Sequence, residues 1–308
     1  MKLPTIVFFG TPLFAGDILE FLIDNKISIA AIVTQPDRPK GRSLQLTPSF
    51  VKQVAQTRLP NVPILQPQKA SEPEFLTQLQ ALSADLYVVV AFGQILPQKL
   101  LDIPSMGCVN VHASLLPKYR GAAPIQRCLM NGETETGVCV QKMVKQLDAG
   151  DVIAETKISI PPEMTAGELE KVLCDESKPL LLSVLKAFGE GTVTATPQDP
   201  AQVTYAAKIE PEEGEIDWTK SAEELHNLIR AFNPRPGAWC SVAGKRFKIF
   251  RATVEKQQGT PRAFLSPKEL IVGCGKDALK LLQVQPEGKP RMLAADWLRG
   301  LSSSPLFE

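Results

Sequence analysis

Short apolar runs alternate with longer segments of helical periodicity over residues 1–189. The apolar runs are TIVFFG, IAAIVTQ, DLYVVVAFG, GCVNVHAS and TGVCVQKMV. Between the first two runs, four apolar residues recur at the spacing of one helix face: Phe14, Ile18, Leu19 and Leu22. Such alternation is typical of βαβ units, and uninterrupted apolar strands are typical of a parallel sheet covered on both faces. The pattern predicts a Rossmann-like α/β fold with a doubly wound, mostly parallel sheet.

The end of this pattern is marked by a long predicted helix. Thr165 and Glu168 have the spacing of a capping box, and apolar residues continue at helical spacing to Phe188 and Gly189. The stretch that follows is rich in Thr, Pro and Gln and shows no helical period, which is typical of a linker. We therefore expect a first domain over residues 1–189, a linker over 190–206 and a second domain over 207–308.

The second domain is predicted to be small and mostly β. A capping box formed by Ser221 and Glu224 begins an amphipathic helix that ends at Asn233-Pro234. After it, AWCSVAGKRFKIFRATVE indicates a hairpin about Ala243-Gly244, and ELIVGC and ALKLLQVQP supply two more strands. Short strands in this order favour an OB-like β-barrel, a fold that commonly binds nucleic acid.

Charge is unevenly distributed along the chain. The whole chain has a net charge of +1, and its 44% hydrophobic and 22% charged residues are those of an ordinary globular protein. Residues 235–308, however, hold 13 Lys and Arg against 6 Asp and Glu, a net +7, and residues 34–58 hold a net +4. Two basic regions predict an extended anionic partner, although basic side chains that merely face solvent would give the same counts.

The counts of metal-binding residue types and the hydropathy argue against a metal site and a membrane span. The 6 cysteines include no C-x-x-C pair, and only 2 histidines are present, so we expect reduced, buried thiols and no metal. The N-terminal apolar run is too short for a signal peptide, and no stretch reaches the roughly 18 apolar residues of a membrane span. We therefore expect a cytoplasmic protein without a membrane partner. Because no unusual apolar surface helix is evident, we also expect a monomer.

Polar residues at the end of the fourth predicted strand are candidates for chemistry. In a doubly wound sheet, ligands bind at the carboxyl ends of the strands. Because side chains alternate along a strand, Asn110 and His112 point to the same face there. The stretch QLDAGDV after the fifth strand contains Asp148 and Asp151 on either side of a small Ala149-Gly150 turn, and a carboxylate there can hold a histidine proton. Neither feature decides the function alone, since a histidine at a strand end and an Asp-Gly turn are both common in purely structural roles.

The stretch around His112 resembles a known family. NVHASLLPKYRGAAPIQ is similar to the signature of the folate-dependent formyltransferases. FFGTPLFAG, TQPDRPKGR, VVVAFGQILP, QLDAGD and IRAFNPRPGAW resemble segments of the branch that formylates methionyl-tRNA. The similarity extends over nearly the whole chain in the same order. It implies transfer of a formyl group from 10-formyltetrahydrofolate to the α-amino group of initiator methionyl-tRNA, without a metal.

The resemblance also implies roles for individual residues. Asn110 and a protonated His112 would stabilise the oxyanion formed during transfer, and Asp148 would hold the histidine and accept a proton from the amine. Six residues match the folate site: Phe92, Gly93, Ser114, Leu115, Leu116 and Pro117. Six basic residues are expected to contact tRNA: Arg38, Lys40, Arg42, Lys245, Arg246 and Lys248. The stretch SLQLTP after Arg42 departs from the family, which often has a lysine pair there, so tRNA binding is expected to depend more on Lys40, Arg42 and the C-terminal domain.

Three other functions remain to be compared with this one. A formyltransferase acting on a small amine, such as a ribonucleotide or an amino-sugar nucleotide, would keep the same three catalytic residues but gives no reason for a basic second domain. A dinucleotide oxidoreductase would use the same type of sheet, but the turn GTPLFAG lacks the G-x-G-x-x-G pattern. A tRNA-binding protein without activity would be expected to have lost the polar trio, and all three residues are present.

Overall fold

A computed structural model of the protein describes residues 3–40 and 45–308. They form two compact units. The first contains residues up to 121 together with 136–158 and 170–205, and the second contains residues 122–135, 159–169 and 206–308. The chain thus passes from one unit to the other five times. Each unit is built from three separate stretches of sequence.

The secondary structure follows the predicted alternation of strands and helices. The helices are α1 (Leu13–Asp24), α2 (Phe50–Arg58), α3 (Pro73–Ala81), α4 (Gln98–Leu101), α5 (Pro124–Met130), α6 (Ala166–Glu190), α7 (Ala222–Ala231) and α8 (Ala294–Arg299), with 3-10 turns at Pro200–Gln202 and Pro211–Gly214. The first strands are β1 (Ile6–Gly10), β2 (Ile29–Val33), β3 (Arg38–Lys40), β4 (Gln45–Thr47), β5 (Ile64–Leu65), β6 (Leu86–Val90), β7 (Cys108–His112) and β8 (Arg120–Gly121). The later strands are β9 (Glu135–Lys142), β10 (Val152–Ser159), β11 (Tyr205–Ala206), β12 (Ala238–Val242), β13 (Lys245–Glu255), β14 (Ile271–Gly273), β15 (Ala278–Pro286) and β16 (Met292–Leu293).

A seven-stranded sheet lies at the centre of the first unit, in the order β10-β9-β7-β6-β1-β2-β5. β1 pairs in parallel with β2 and β6, and β6 pairs in parallel with β7. The mostly parallel α/β sheet is therefore confirmed. Within this sheet, β9 runs antiparallel to β7. The helix between these two strands, α5, belongs to the second unit.

The predicted buried strands and the first helix lie in the core of the first unit. All five residues of β1 and all five of β6 are buried, as expected for strands covered on both faces. The four residues predicted to form one face of α1 are buried as well. Two edge strands, β5 and β10, were not predicted: β5 has only two residues, and most of β10 is not buried.

The end of the first predicted domain contains the expected capping box. The backbone N–H of Thr165 donates to Glu168 Oε2 at 2.9 Å, and the N–H of Glu168 donates to Thr165 Oγ1 at 3.4 Å. After α6, the chain continues along the first unit: Thr196 pairs with Val152, and the carbonyl of Thr204 accepts from the Arg120 N–H at 2.9 Å. The segment interpreted as a linker thus makes defined contacts within the first unit.

The second unit contains an antiparallel sheet in the order β12-β13-β15-β14, with β16 beside β15. The predicted hairpin is confirmed, and its turn has positive φ at Ala243 (48°) and Gly244 (72°), as two-residue hairpin turns require. Closure into an OB-like barrel is not confirmed. In the described residues the edge of β12 instead bridges Glu215 and Phe307, and the edge of β14 bridges Phe264.

Two further expectations concern membranes and thiols. No helix in residues 3–40 or 45–308 combines the length and the apolar character that a membrane crossing needs. All six cysteines, which lie in the described part of the chain, are free and buried. The prediction of buried thiols is therefore confirmed.

Candidate active site

The loops that follow the central parallel strands lie next to one another at one edge of the sheet. Thr11, after β1, donates its hydroxyl to the carbonyl oxygen of Phe92, after β6, at 2.9 Å. Gln35, after β2, donates its side-chain amide to the same carbonyl at 3.2 Å. β7 is the next strand beyond β6. This carboxyl edge is where open α/β sheets bind their ligands.

Asn110 and His112 project from β7 on one face, as the strand period predicts. Asn110 is half-buried, and no residue in the described part of the chain makes a hydrogen bond to its side-chain amide. His112 is only 6% exposed, and its Nε2 lies 2.9 Å from the carbonyl oxygen of Tyr119. Because a carbonyl oxygen only accepts hydrogen bonds, Nε2 carries a proton and Nδ1 is the nitrogen left for exchange.

Asp148 faces Nδ1 of His112. Its Oδ2 lies 3.8 Å from His112 Nδ1 and accepts the backbone N–H of Gly121 at 2.8 Å. Its Oδ1 accepts the side-chain amide of Gln141 at 3.2 Å. The backbone of Asp148 has φ of 46°, a left-handed conformation that is uncommon for a non-glycine residue. The three predicted catalytic residues are thus brought together, although sequence alone placed Asp148 only in a nearby loop.

The loop from Ser114 to Pro117 is held by hydrogen bonds within the first unit. Ser114 is fully buried and donates its hydroxyl to the Lys118 carbonyl at 2.7 Å. The Leu116 N–H donates to Cys139 Sγ at 3.3 Å, and the Leu116–Pro117 peptide is cis. Burial raises the pKa of the Cys139 thiol to about 12, so this sulfur stays protonated at neutral pH. The loop is therefore a fixed element beside His112.

The other two residues expected at the folate site differ in exposure. The Phe92 ring is 2% exposed and packs edge-on against Phe9, with ring centroids 5.5 Å apart. Gly93 is exposed, with φ of 88°. Of the pair, only Gly93 presents surface to a ligand in this conformation, and Phe92 supports the loop from beneath.

The basic residues expected near the first unit are only partly described. Arg38 is exposed on the hairpin formed by β3 and β4, with Nη2 3.4 Å from Gln35 Oε1. Arg42 and the side chain of Lys40 lie outside the described residues. Their expected contacts with tRNA stay predictions.

The three basic residues expected in the second unit do not form one uniform patch. Lys245 and Arg246 are exposed, and the Arg246 guanidinium lies 3.9 Å from the ring centroid of Trp239. Lys248 is half-buried, and its Nζ donates to the Pro236 carbonyl at 2.8 Å. Arg246 and Lys248 share a strand face, whereas Lys245 alternates to the other.

Sequence reasoning missed two glutamines beside Asp148. Gln141 is 1% exposed near the end of β9, and a polar residue directly after the apolar run GVCV was a usable signal. Gln198 donates its amide to the carbonyls of Asp148 and Gly150, at 2.8 and 2.7 Å. It lies in the Thr/Pro/Gln-rich stretch, where nothing in the composition distinguished it from a loop residue.

The donor set of the site is that of acid-base and hydrogen-bonding chemistry. The described residues contain no group of three or more His, Cys, Asp or Glu side chains placed to hold a metal ion. An amide, an imidazole and a carboxylate lie together at a ligand-binding edge.

Two family profiles match the chain. One, described as formyl transferase, matches residues 4–185, and the other, described as formyl transferase, C-terminal domain, matches residues 208–302. The first match alone spans more than half of the 308 residues. The chain belongs to the formyl transferase family.

Among known proteins, this formyl transferase is similar to two bacterial methionyl-tRNA formyltransferases. It is 47% identical over 308 residues to that of Protochlamydia amoebophila, with 98% of this chain and 96% of the relative covered. It is 44% identical over 303 residues to that of Geobacter metallireducens, with 98% and 97% covered. A solved sugar 3N-formyl transferase, in the presence of dTDP and 5-N-formyl-THF, superposes with a TM-score of 0.70 at 17% identity, covering 94% of this chain and 100% of the other. At that identity the superposition shows the shared fold only.

Proposed function

We propose that this formyl transferase moves the formyl group of 10-formyltetrahydrofolate to the α-amino group of methionine on initiator methionyl-tRNA, for translation initiation. Relatives named methionyl-tRNA formyltransferase that are between 40% and 47% identical over nearly the full chain support this substrate. The observation that carries the proposed chemistry is the cluster at the end of β7. There His112 lies between the Tyr119 carbonyl and the Asp148 carboxylate, on the same strand as Asn110, whose side-chain amide bonds to no residue within 3–40 or 45–308.

Asn110 is proposed to stabilise the formyl oxygen. When the amine attacks the formyl carbon, this oxygen gains negative charge, and a donor already in position stabilises it without rearranging. The amide N–H groups of Asn110 are engaged by no described residue, so they are available for this purpose. Loss of one such donor typically lowers kcat by roughly 10²- to 10³-fold.

His112 and Asp148 are proposed to move the proton. As the new bond between the amine nitrogen and the formyl carbon forms, the bond from that carbon to the folate nitrogen breaks. The amine loses a proton and the departing folate nitrogen gains one. His112 Nε2 is engaged by the Tyr119 carbonyl, so the exchange uses Nδ1 and the Asp148 carboxylate, 3.8 Å apart. This leaves Asn110, rather than His112, as the direct donor to the formyl oxygen.

The residues near the site fit a folate. The exposed backbone around Ala91 and Gly93 and the amide of Asn110 offer donors and acceptors to a polar ring system. When bound, the folate supplies the formyl group.

We infer different roles for the six expected folate residues. Those that keep exposed surface are proposed to contact the folate: Gly93, Leu115 and Pro117. Those that are buried are proposed to shape the loops beneath it: Phe92, Ser114 and Leu116.

The second unit is proposed to bind the tRNA backbone. Residues 235–308, which form part of this unit, carry a net charge of +7, which suits a chain of phosphates, and Lys245 and Arg246 are exposed in that stretch. Arg38, Lys40 and Arg42 are proposed to add contacts from the first unit, and Lys248 to contribute less because its ammonium is bonded to a carbonyl. An OB-like relationship of the five-stranded sheet is part of this proposal.

The remaining expectations are kept as parts of the same proposal. The division into residues 1–189, 190–206 and 207–308 is supported by profile matches that end at 185 and begin at 208. The six free cysteines fit a reducing compartment, and we place the protein in the cytoplasm as a monomer without a membrane partner.

Formyl transfer from 10-formyltetrahydrofolate is the test of this function. Methionyl-tRNA, free methionine and an amino-sugar nucleotide are compared as acceptors for the wild type. We expect transfer to methionyl-tRNA alone. Transfer to the amino-sugar nucleotide would keep the chemistry and overturn the substrate.

Two variants and a matched control test the site. His112→Ala is expected to lower kcat by at least roughly 10²-fold, because it removes a positioned acid-base group. Arg42→Glu is expected to raise KM for methionyl-tRNA more than it changes kcat. His226→Gln alters the other histidine of the chain, which faces Glu163 in the second unit, and should leave kcat within a factor of two. Equal losses in the two histidine variants would contradict the assignment of the site.

A further inference from the structure

We propose that Gln198 is a positioning residue that fixes the Asp148 carboxylate relative to the His112 imidazole, a role that rests on the proposed function. Gln198 lies between the two profile matches, which end at residue 185 and begin at 208. The stretch that joins the two matched regions therefore completes the site. All of the contacts that support this lie within the first unit.

The amide nitrogen of the Gln198 side chain holds the turn that contains Asp148. Its Nε2 donates to the carbonyl of Asp148 at 2.8 Å and to the carbonyl of Gly150 at 2.7 Å. Asp148 has a left-handed backbone, with φ of 46°, and such a conformation persists in a non-glycine residue when its surroundings fix it. The two hydrogen bonds supply that constraint on both sides of the turn.

The amide oxygen of the same side chain holds Arg120, which lies in the segment that contacts both His112 and Asp148. Its Oε1 accepts two hydrogen bonds from the Arg120 guanidinium, from Nε at 3.0 Å and from Nη2 at 2.7 Å. Arg120 is only 7% exposed. Its neighbours in the chain are Tyr119, whose carbonyl accepts from the imidazole, and Gly121, whose N–H donates to the carboxylate. Gln198 thus links the two backbone segments that orient the proton-moving pair.

A glutamine suits this position because its amide group combines a donor and an acceptor, and its neighbours need one of each. The arginine needs an acceptor, and the two carbonyls need a donor. Glutamate accepts but does not donate when ionised, and methionine has nearly the same length but offers neither function. Because a displacement of about 1 Å at a reacting group can cost roughly 10² in rate, loss of the donor should reduce turnover rather than binding.

Steady-state kinetics of Gln198→Glu and Gln198→Met test the proposal. We expect kcat to fall by roughly 10- to 100-fold in both variants, with KM for methionyl-tRNA and for the folate within a factor of two. Gln202→Glu is the matched control, since Gln202 is exposed on the same stretch and bonds only to the nearby Asp199 among the described residues. It should keep the wild-type kcat. If Gln198 acted only by holding Arg120, Gln198→Glu would behave as wild type, and that result would overturn the proposal. Unchanged kcat in both variants would overturn it too.

A second measurement separates this inference from the proposed function. The chain has 2 histidines, so ¹⁵N-histidine NMR gives two imidazole spin systems, which His226→Gln assigns. Gln198→Met, which introduces no charge, should shift the His112 imidazole nitrogens and leave those of His226 unchanged. Wild-type activity alone decides the proposed function. Unaltered His112 resonances in Gln198→Met would reject the positioning role whether or not methionyl-tRNA is the acceptor.

Discussion

Replacing Gly150 by alanine tests how strictly the turn that contains Asp148 must be placed. Gly150 is buried, and a Cβ atom on its backbone would lie 1.8 Å from the carbonyl oxygen of Lys142. Real Cβ atoms essentially never come closer than 3.0 Å to a heavy atom outside their own residue and its two chain neighbours, so the two backbones must separate by at least 1.2 Å, the difference between these distances. The Lys142 N–H also donates to the Asp151 carbonyl at 2.9 Å, so the separation strains the contact between the turn and β9.

This displacement is expected to lower kcat by roughly 10²-fold, because about 1 Å of misplacement at a reacting group can have that effect. Overpacking a buried site typically also destabilises a protein by about 1–3 kcal/mol. Since domains are usually stable by about 5–15 kcal/mol, Gly150→Ala should still fold. The expected signature is therefore a large loss of turnover in a folded protein.

The assay is formylation of methionyl-tRNA at saturating substrates, with far-UV circular dichroism and a urea titration on the same samples. Gly300→Ala is the control, because Gly300 has φ of −83° and its added Cβ would lie 3.4 Å from the nearest atom, an ordinary contact. It should keep full activity. A kcat of Gly150→Ala within threefold of wild type would refute the reasoning, and so would an activity loss that only follows the loss of folded signal.

Three further predictions concern stability, tRNA binding and pH. Ser221→Ala removes the capping box at the start of α7, where the Ser221 hydroxyl accepts a hydrogen bond from the Glu224 N–H. It should lower the free energy of unfolding in urea by about 1 kcal/mol. An unchanged value would mean that the capping box does not form in solution. Arg246→Ala should weaken tRNA binding and should reduce the slope of log K against log salt concentration by about one phosphate contact. Lys248→Ala should change that slope little, because the Lys248 ammonium is bonded to a carbonyl. Equal slopes in the two variants would contradict the assignment. Burial raises the pKa of the Cys108 thiol from 9.0 to about 12. Because the thiol of the unfolded chain ionises first as pH rises, the free energy of unfolding should be at its full value below pH 9.0 and should fall between pH 9.0 and about 12. Urea titrations measure this, and a free energy of unfolding that stays level above pH 9.0 would argue against it.

Much of the fold follows from local patterns that need no knowledge of distant contacts. β1 and β6 are continuous apolar runs, and the capping boxes at Thr165 and Ser221 depend on residues three positions apart. The direction of β9, and whether the sheet of the second unit closes into a barrel, could not be predicted from such local patterns. Both depend on where connecting segments pack, which is a property of the whole chain rather than of a window of sequence.

The candidate site divides along the same line. Asn110 and His112 share a face because side chains alternate along a strand, so their proximity can be predicted from their spacing of two residues in the sequence. Gln198 has hydrogen-bond partners 48 to 78 residues away, and its own surroundings have the composition of a loop. No local signal could have placed it beside the catalytic pair.

The interleaving of the two units determines when each of them can be finished during synthesis. α5 belongs to the second unit, and its Arg127 pairs with Glu213, 86 residues later in the chain. At roughly 5–20 residues per second, a ribosome needs roughly 4 to 17 seconds to supply that partner. During this interval the guanidinium remains without its carboxylate, although much of the first sheet has already been made. The second unit therefore cannot be completed until residues 206–308 have followed the last stretch of the first unit out of the ribosome.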